Sequence, residues 1–382
     1  MIFNSNKKIK VCLFSTVQGP DNVRLYHREA KSLVKEGFEV HAVLPCDESF
    51  EKGGVYFHKV HKPNNRFIRI IFMPWKTMIT ALRTRADIYH FHDPELLMAG
   101  FLLRWILGKK VVFDMRESTS RQILGKEYLP KWTRKIVSCC YKIIEKICLT
   151  GIRLIVANDR SVNEYHKCYL VRNFPQIDEN IISNAMDMSQ RFKSPLLVYV
   201  GTVSKTRGAF TYLVMAQKLI ERGHRFKIMI IGGAYDESFI VQLKDEVKQM
   251  NLQDTVSVTG FMDYQQAMGI TSKAVIGLSI LDPIPNYTFC LAGKMVEYMM
   301  CGTPILSSNF EHWAPYVEGE KTGKMVDPFN IDQIVNVCEQ MLNNPQELEN
   351  MGRRGIEAVK NKYNWDMEFK VLLKCYQDML ST

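Results

Sequence analysis

The sequence predicts an α/β protein built from two doubly wound parallel-sheet domains in tandem. Short apolar runs of strand length alternate with amphipathic helical segments through both halves of the chain. That alternation fades over a polar stretch near residues 170–194 and then restarts. At 382 residues the chain also exceeds one ordinary core. The expected divisions are a first domain over residues 1–175, a second over 195–363, and a C-terminal helical segment over 364–382 that closes the second domain or packs back onto the first.

The elements follow in order. Ile9–Ser15 reads as a buried opening strand, and a helix begins near Asp21 with Asp21 or Asn22 as its cap. Gly37 stops that helix before the strand Glu39–Pro45, and this βαβ unit implies a right-handed crossover. Asp87–His92, Lys110–Asp114 and Leu154–Ala157 read as further strands, with a helix over Pro94–Leu107. In the second half, Leu196–Val200, Phe226–Ile231, Thr255–Thr259 and Ala274–Ser279 read as strands, with helices at Ala209–Arg222 and Glu237–Met250. Helices then run from about Ile331 to Leu342, Pro345 to Lys362 and Trp365 to Leu380.

Charge is uneven. Residues 1–172 hold 30 Lys and Arg against 16 Asp and Glu, a balance of +14, while the remainder carries −4 of the net +10. An anionic partner is expected for the first half. Asn65–Arg85 and Pro130–Leu149 each carry five basic residues, with aromatics that include Phe72, Trp75, Trp132 and Tyr141. Such basic amphipathic helices fit an anionic membrane surface; alternatively they cover the sheet with solvated lysines. No nucleic-acid-binding module is recognisable, so nucleic acid is not the expected partner. The N-terminus lacks a signal-peptide core and no run of about 18 apolar residues occurs, so a cytoplasmic location on the inner membrane face is expected. Ten cysteines without metal-ligand spacing read as reduced thiols, and no metal or cofactor is expected.

One stretch concentrates the candidate chemistry. In Asp282–Ser308, a helix starting near Leu291 and ended by Gly302 and Pro304 carries Lys294 and Glu297 three residues apart. At a helix N-terminus such a cation can hold phosphate, and the carboxylate can accept from sugar hydroxyls; a surface ion pair is the plainer alternative. The turn Gly201–Gly208 (GTVSKTRG) joins a strand to a helix and adds Lys205 and Arg207, where open parallel sheets bind ligands. Neither the Gly-x-Gly-x-x-Gly nor the P-loop pattern is present.

Several motifs together carry a resemblance. DNVRLYHREAKSLVKEGFEV, DIYHFHDPELL, KVVFDMRES, VRNFP, YVGTVSKTRG, PNYTFCLAGKMVEYMMCGTPILSS, TGKMVDP and YNW, in this order, resemble the GT-B glycosyltransferases of family 4, in particular a bacterial subgroup that builds capsule, O-antigen and exopolysaccharide. The resemblance implies two Rossmann-like domains facing a cleft, the second binding a nucleotide-sugar donor, UDP-linked by default, and the first a lipid-linked glycan acceptor. It implies a metal-independent, retaining transfer. By that resemblance Glu297 binds the ribose, Arg207 the diphosphate with Lys205 and Lys294 as helpers at Gly201, and Asn286 and Tyr287 meet the donor sugar and phosphate. Gly260, Phe261 and Met262 line the base pocket. His92, Asp93 and Glu95, then Asp114, Arg116 and Glu117, face the cleft at strand ends.

Two positions depart from the family pattern. Phe289 stands where the broader family has a second glutamate, and Arg116 where related sequences have histidine. Arginine can stabilise negative charge but is no base at neutral pH. These departures motivate the alternative of a catalytically silent GT-B scaffold that binds membrane or a partner. A GT-B sugar-nucleotide epimerase is a further alternative whose motifs are not matched.

Overall fold

The computed structural model describes residues 8–63, 65–116, 118–124, 130–165, 167–183 and 185–381. The chain forms two compact units. One comprises Met1–Asn173 with Trp365–Thr382, the other Phe174–Asn364.

The first unit holds an eight-stranded sheet: β1 Lys10–Phe14, β2 Glu39–Pro45, β3 Phe50–Lys52, β4 Val55–Val60, β5 Ile88–Phe91, β6 Lys110–Met115, β7 Arg153–Val156 and β8 Cys168–Leu170. The spatial order is β3-β4-β2-β1-β5-β6-β7-β8, parallel throughout except for the β3–β4 hairpin. Strand residues alternate between two cores, as the period of two demands. Val11, Leu13, Val40 and Ala42 pack with Trp365, Leu372 and Tyr376 of the C-terminal helix Trp365–Leu380. That helix therefore completes the first unit. Cys12, Phe14, Tyr89 and Phe113 pack on the other side, against helices Arg66–Arg83, Leu97–Trp105 and Lys131–Cys148 through Met73, Leu103 and Cys148.

The second unit holds a six-stranded parallel sheet: β9 Leu196–Val200, β10 Lys227–Ile231, β11 Val256–Gly260, β12 Ile276–Ser279, β13 Ile305–Ser308 and β14 Gly323–Val326, in the order β11-β10-β9-β12-β13-β14. Helix Ala209–Glu221 buries Tyr212, Leu213 and Ala216 on one face of this sheet. Helix Gly293–Met300 buries Met295, Val296, Tyr298 and Met299 on the other. In each sheet the order reverses beside one strand, between β1 and β5 and between β9 and β12. Those switch points open at the carboxyl ends of the strands, where ligands of such sheets sit.

The polar stretch expected as a linker is packed into the second unit. Phe174 and Ile181 enter its core, and Met188 enters the opposite one. Buried Arg191 donates to the carbonyls of Met186, Ala274, Cys301 and Gly302, which satisfies the end of the Gly293–Met300 helix. Weak periodicity here reflects a few apolar anchors and one buried arginine set among exposed polar residues such as Gln176, Glu179 and Gln190.

Candidate functional site

The switch point of the second sheet carries the candidate donor site. Gly201, directly after β9, and Gly232, directly after β10, approach so closely that a Cβ on Gly232 would lie 1.9 Å from the Gly201 carbonyl oxygen; Gly232 also has φ +146°. The chain then runs through the turn Lys205–Arg207 to Gly208, at φ +80°, where a Cβ would lie 2.2 Å from the Ile280 carbonyl oxygen. This contact seats the turn on the end of β12. The Asp282 amide donates to the Thr206 carbonyl (2.9 Å), and the Tyr212 hydroxyl accepts from the Ile280 amide (3.2 Å).

Two basic side chains are held here, neither in a salt bridge among the described residues. Arg207 donates from Nε to the Tyr287 hydroxyl (3.0 Å), and its guanidinium lies 5.1 Å from the Tyr287 ring centre. Lys294 is buried, with Nζ 3.6 Å from the centre of the Tyr199 ring and no hydrogen-bond partner. Burial, and then the neighbouring Arg207, push the Lys294 ammonium well below the ordinary lysine range, with Glu297 acting in the other direction. Lys294 is the second residue of helix Gly293–Met300, whose N-cap, Ala292, supplies no side-chain cap. Its first-turn amides and Arg207 therefore present positive potential beside the Lys294 amine.

The remaining expected residues are distributed around this point. Glu297 is half-buried on the same helix as Lys294, one turn further on. Tyr287 and Asn286 belong to the turn of helix Pro285–Phe289; the Asn286 side chain lies outside the described residues. Lys205 stands in the turn with Arg207 and acts electrostatically on Asp282, whose carboxyl burial raises and Lys205 lowers. Gly260 ends β11, Met262 is half-buried, and Phe261 is 89% exposed. Reading the sequence missed Tyr199 and Tyr298. The Tyr298 hydroxyl accepts from the Val200 amide (2.9 Å) and donates to the Leu278 carbonyl (3.1 Å), tying β9 to β12 beneath the site. An aromatic in an apolar helix pattern reads as core, and no sequence signal marks it as a strand clamp.

The switch point of the first sheet gathers a different cluster. Asn22 caps the helical segment Val23–Ala30, whose hydrogen bonds follow the π pattern. That winding brings Arg24 and Glu29, five residues apart, onto one face. Arg24 Nε donates to Glu29 (3.0 Å) and to Asp114 (2.7 Å), and Nη2 to Asp114 (3.1 Å). His92 lies between the same carboxylates, 3.3 Å from each, and its side chain is wholly buried. His90 stacks on His92 at 4.7 Å, and the Tyr376 hydroxyl lies 2.7 Å from its Nδ1. Burial pushes the Glu29 carboxyl up to about 7, whereas for Asp114 burial is outweighed by Arg24 and His92, which hold it well below the carboxylate range.

His92 was expected to face a ligand; its buried side chain instead belongs to this network. Asp93 is committed too: one carboxylate oxygen accepts from the Ser15 hydroxyl (2.5 Å) and the amides of Thr16 (2.7 Å) and Val17 (3.2 Å), fixing the loop after β1. Arg116 is half-buried and donates to Asn22 Oδ1 (3.3 Å), and Glu117 lies outside the described residues. Glu29, His90, His92 and Asp114 bring potential metal ligands within 4.8 Å of one another. Arg24, lodged on both carboxylates, already supplies the cation there.

Comparison with known proteins fits this geometry. Two family profiles match in succession, "Glycosyltransferase Family 4" over residues 23–188 and "Glycosyl transferases group 1" over residues 187–358. With two parallel-sheet units matched in succession by these profiles, the chain belongs to the family 4 glycosyltransferases of GT-B fold. It is 24% identical over 185 residues to an alpha-D-kanosaminyltransferase of Streptomyces kanamyceticus, a match covering 48% of this chain and 46% of that protein. It is 19% identical over 182 residues to the capsular polysaccharide biosynthesis glycosyltransferase CapM of Staphylococcus aureus, again covering 48% and 46%. The chain thus spans about half the length of these relatives. Among solved structures, Anabaena Alr3699/HepE in complex with UDP superposes with a TM-score of 0.69 at 13% identity, covering 97% of this chain and 100% of that one.

Proposed function

We propose that this chain is a retaining glycosyltransferase that moves a sugar from a nucleotide-sugar, UDP-linked by preference, to a lipid-linked glycan acceptor in bacterial surface polysaccharide synthesis. The observation that carries the proposal is the pair Arg207 and Lys294, gathered at an uncapped helix N-terminus with no carboxylate paired to either among the described residues. A site left cationic is complementary to a diphosphate. Glu297, half-buried on the same helix, holds the ribose. The UDP complex of the HepE structure and the capsular role in the CapM name support the finer choices of nucleotide and pathway. Catalysis in this reading is positioning and charge stabilisation by Arg207, Lys294 and the helix amides, without a divalent cation. The leaving diphosphate takes the acceptor's proton on the face it vacates.

A place on the inner face of the cytoplasmic membrane is supported by the outer surface of the first unit. Helix Lys131–Cys148 leaves a mixed apolar and basic face outward: Trp132 is 71% and Ile143 and Ile147 each 57% exposed beside exposed Lys142 and Lys146, while Ser138, Glu145 and Cys148 are buried. Ile71, Phe72 and Ile79 of helix Arg66–Arg83 and Trp105 of helix Leu97–Trp105 are likewise exposed on the same side of the sheet. Lysines and arginines accompany them, and Glu145, the acid within the Lys131–Cys148 helix, accepts from the Tyr165 hydroxyl (2.7 Å). No helix among the described residues is long and apolar enough to cross a membrane. An apolar, basic face of this kind suits interfacial binding.

The decisive experiment incubates purified protein with a panel of sugar nucleotides and lipid-linked acceptors, with and without a chelator. Transfer with retained anomeric configuration, unaffected by the chelator, is expected. Absence of binding, hydrolysis and transfer for every donor sinks the proposal. Flotation with vesicles of neutral and of anionic lipid tests the membrane part, and failure to float with the anionic set refutes it.

A further inference from the structure

Lys294 is built differently from Arg207, although both face the same place. A guanidinium stays charged at any working pH, whereas a lysine shifts readily when buried. The groups around Lys294 Nζ are few. From β9 comes the neutral Tyr199 ring, in face contact at 3.6 Å. From the Lys205–Arg207 turn comes the like charge of Arg207, and from its own helix the half-buried Glu297. Tyr298 is spent on Val200 and Leu278, and Tyr287 on Arg207. The backbone of Gly201 roofs the amine, since a Cβ there would lie 3.4 Å from Nζ. The helix Pro345–Asn361 meets the opposite side, at Met299. Glu297 acts on the amine through charge alone, and among the described residues no oxygen accepts a hydrogen bond from Nζ.

We infer that Lys294 takes up a proton when a nucleoside diphosphate binds and releases it when the diphosphate leaves. The inference rests on the nucleotide reading above and adds that one of the two site charges exists only in the occupied enzyme. In the empty site a buried ammonium facing Arg207 is costly, and a neutral amine against a tyrosine ring costs less. An arriving diphosphate brings negative charge and acceptor oxygens, both of which favour the ammonium. The burial and Arg207 effects that lower this lysine in the empty chain agree in direction. The proton comes from solvent and returns to it, so no other reactant is required.

Titration calorimetry of the full chain with UDP, in buffers of different ionisation heat at about pH 8, where the diphosphate is already fully ionised, tests this. The expected heats differ between buffers in proportion to about one proton taken up per UDP, and affinity falls by up to ~tenfold per pH unit as pH rises. Lys294→Arg is expected to bind without a buffer effect. Lys294→Met, which keeps the site neutral should the arginine not pack, is expected to bind more weakly and also without one. A buffer-independent heat for the unaltered chain overturns the inference while leaving nucleotide binding intact, and so does a buffer effect that persists in either variant. Failure of a cooperatively melting chain to bind UDP, GDP or ADP overturns the nucleotide reading and this inference together.

Discussion

Both sheets gather charge where their strand order reverses, and they balance it in opposite ways. In the first unit Arg24 is held between Glu29 and Asp114, with His92 against the same pair, so opposite charges face one another there, although Arg24 Nη1, Glu29 Oε2, His90 Nε2 and both His92 ring nitrogens have no hydrogen-bond partner among the described residues. In the second unit Arg207 hydrogen-bonds to Tyr287 and Lys294 rests on the Tyr199 ring, and among the described residues neither is in a salt bridge. A buried cluster whose charges oppose one another specifies packing, whereas one without a paired carboxylate is complementary to an anion. The same topology has thus produced one centre where a cation meets carboxylates and one candidate ligand centre where it does not. The carboxylates present at the first and not paired at the second make the difference.

The comparison can be broken most forcefully at Arg24. Arg24→Met strands two buried carboxylates, and denaturant unfolding should show a loss of about 3–5 kcal/mol. A stability loss below about 1 kcal/mol would mean the cluster is not self-contained. Arg207→Met should act the other way round, lowering kcat/KM by roughly 10²–10³ while the melting temperature barely moves. Next in size, Lys294→Met should stabilise the empty protein by about 1–3 kcal/mol because an unsatisfied buried group is removed, and yet weaken nucleotide binding. Equilibrium unfolding with and without UDP separates the two effects, and a variant that is less stable in both conditions contradicts the picture. Smallest is Tyr376→Phe, which leaves His90 Nδ1 without its partner and should cost about 1 kcal/mol, read as a shift of the unfolding midpoint with donor affinity unchanged.

Much of the fold was legible because strand and helix periods are local. Glu39–Pro45, Leu196–Val200 and the three closing helices appear within a residue or so of where their patterns place them. The β3–β4 hairpin went unread: Gly53-Gly54 is a turn signal, but β3 is only the three residues Phe50-Glu51-Lys52, too short and too charged to show a strand pattern. At the candidate donor site, the charge and glycine pattern pointed to Arg207, Lys294 and Gly201, which the fold brings together. At the first switch point, His92 and Asp93 stand at a strand end as expected, but their side chains are consumed by Glu29, Asp114 and the Ser15–Val17 loop.

The sequence by itself determined the two parallel sheets, their covering helices and the family, because hydrophobic period and ordered motifs are properties of neighbouring residues. Only the tertiary structure decided which charges cancel. Arg24 reaches Asp114 across 90 positions of chain, and a π-wound turn aligns it with Glu29. It also decided that Lys294 rests on Tyr199, 95 positions away, rather than on Glu297 as a surface pair. Burial sets the strength of a charge and long-range contact sets its partner, and neither is written in local spacing.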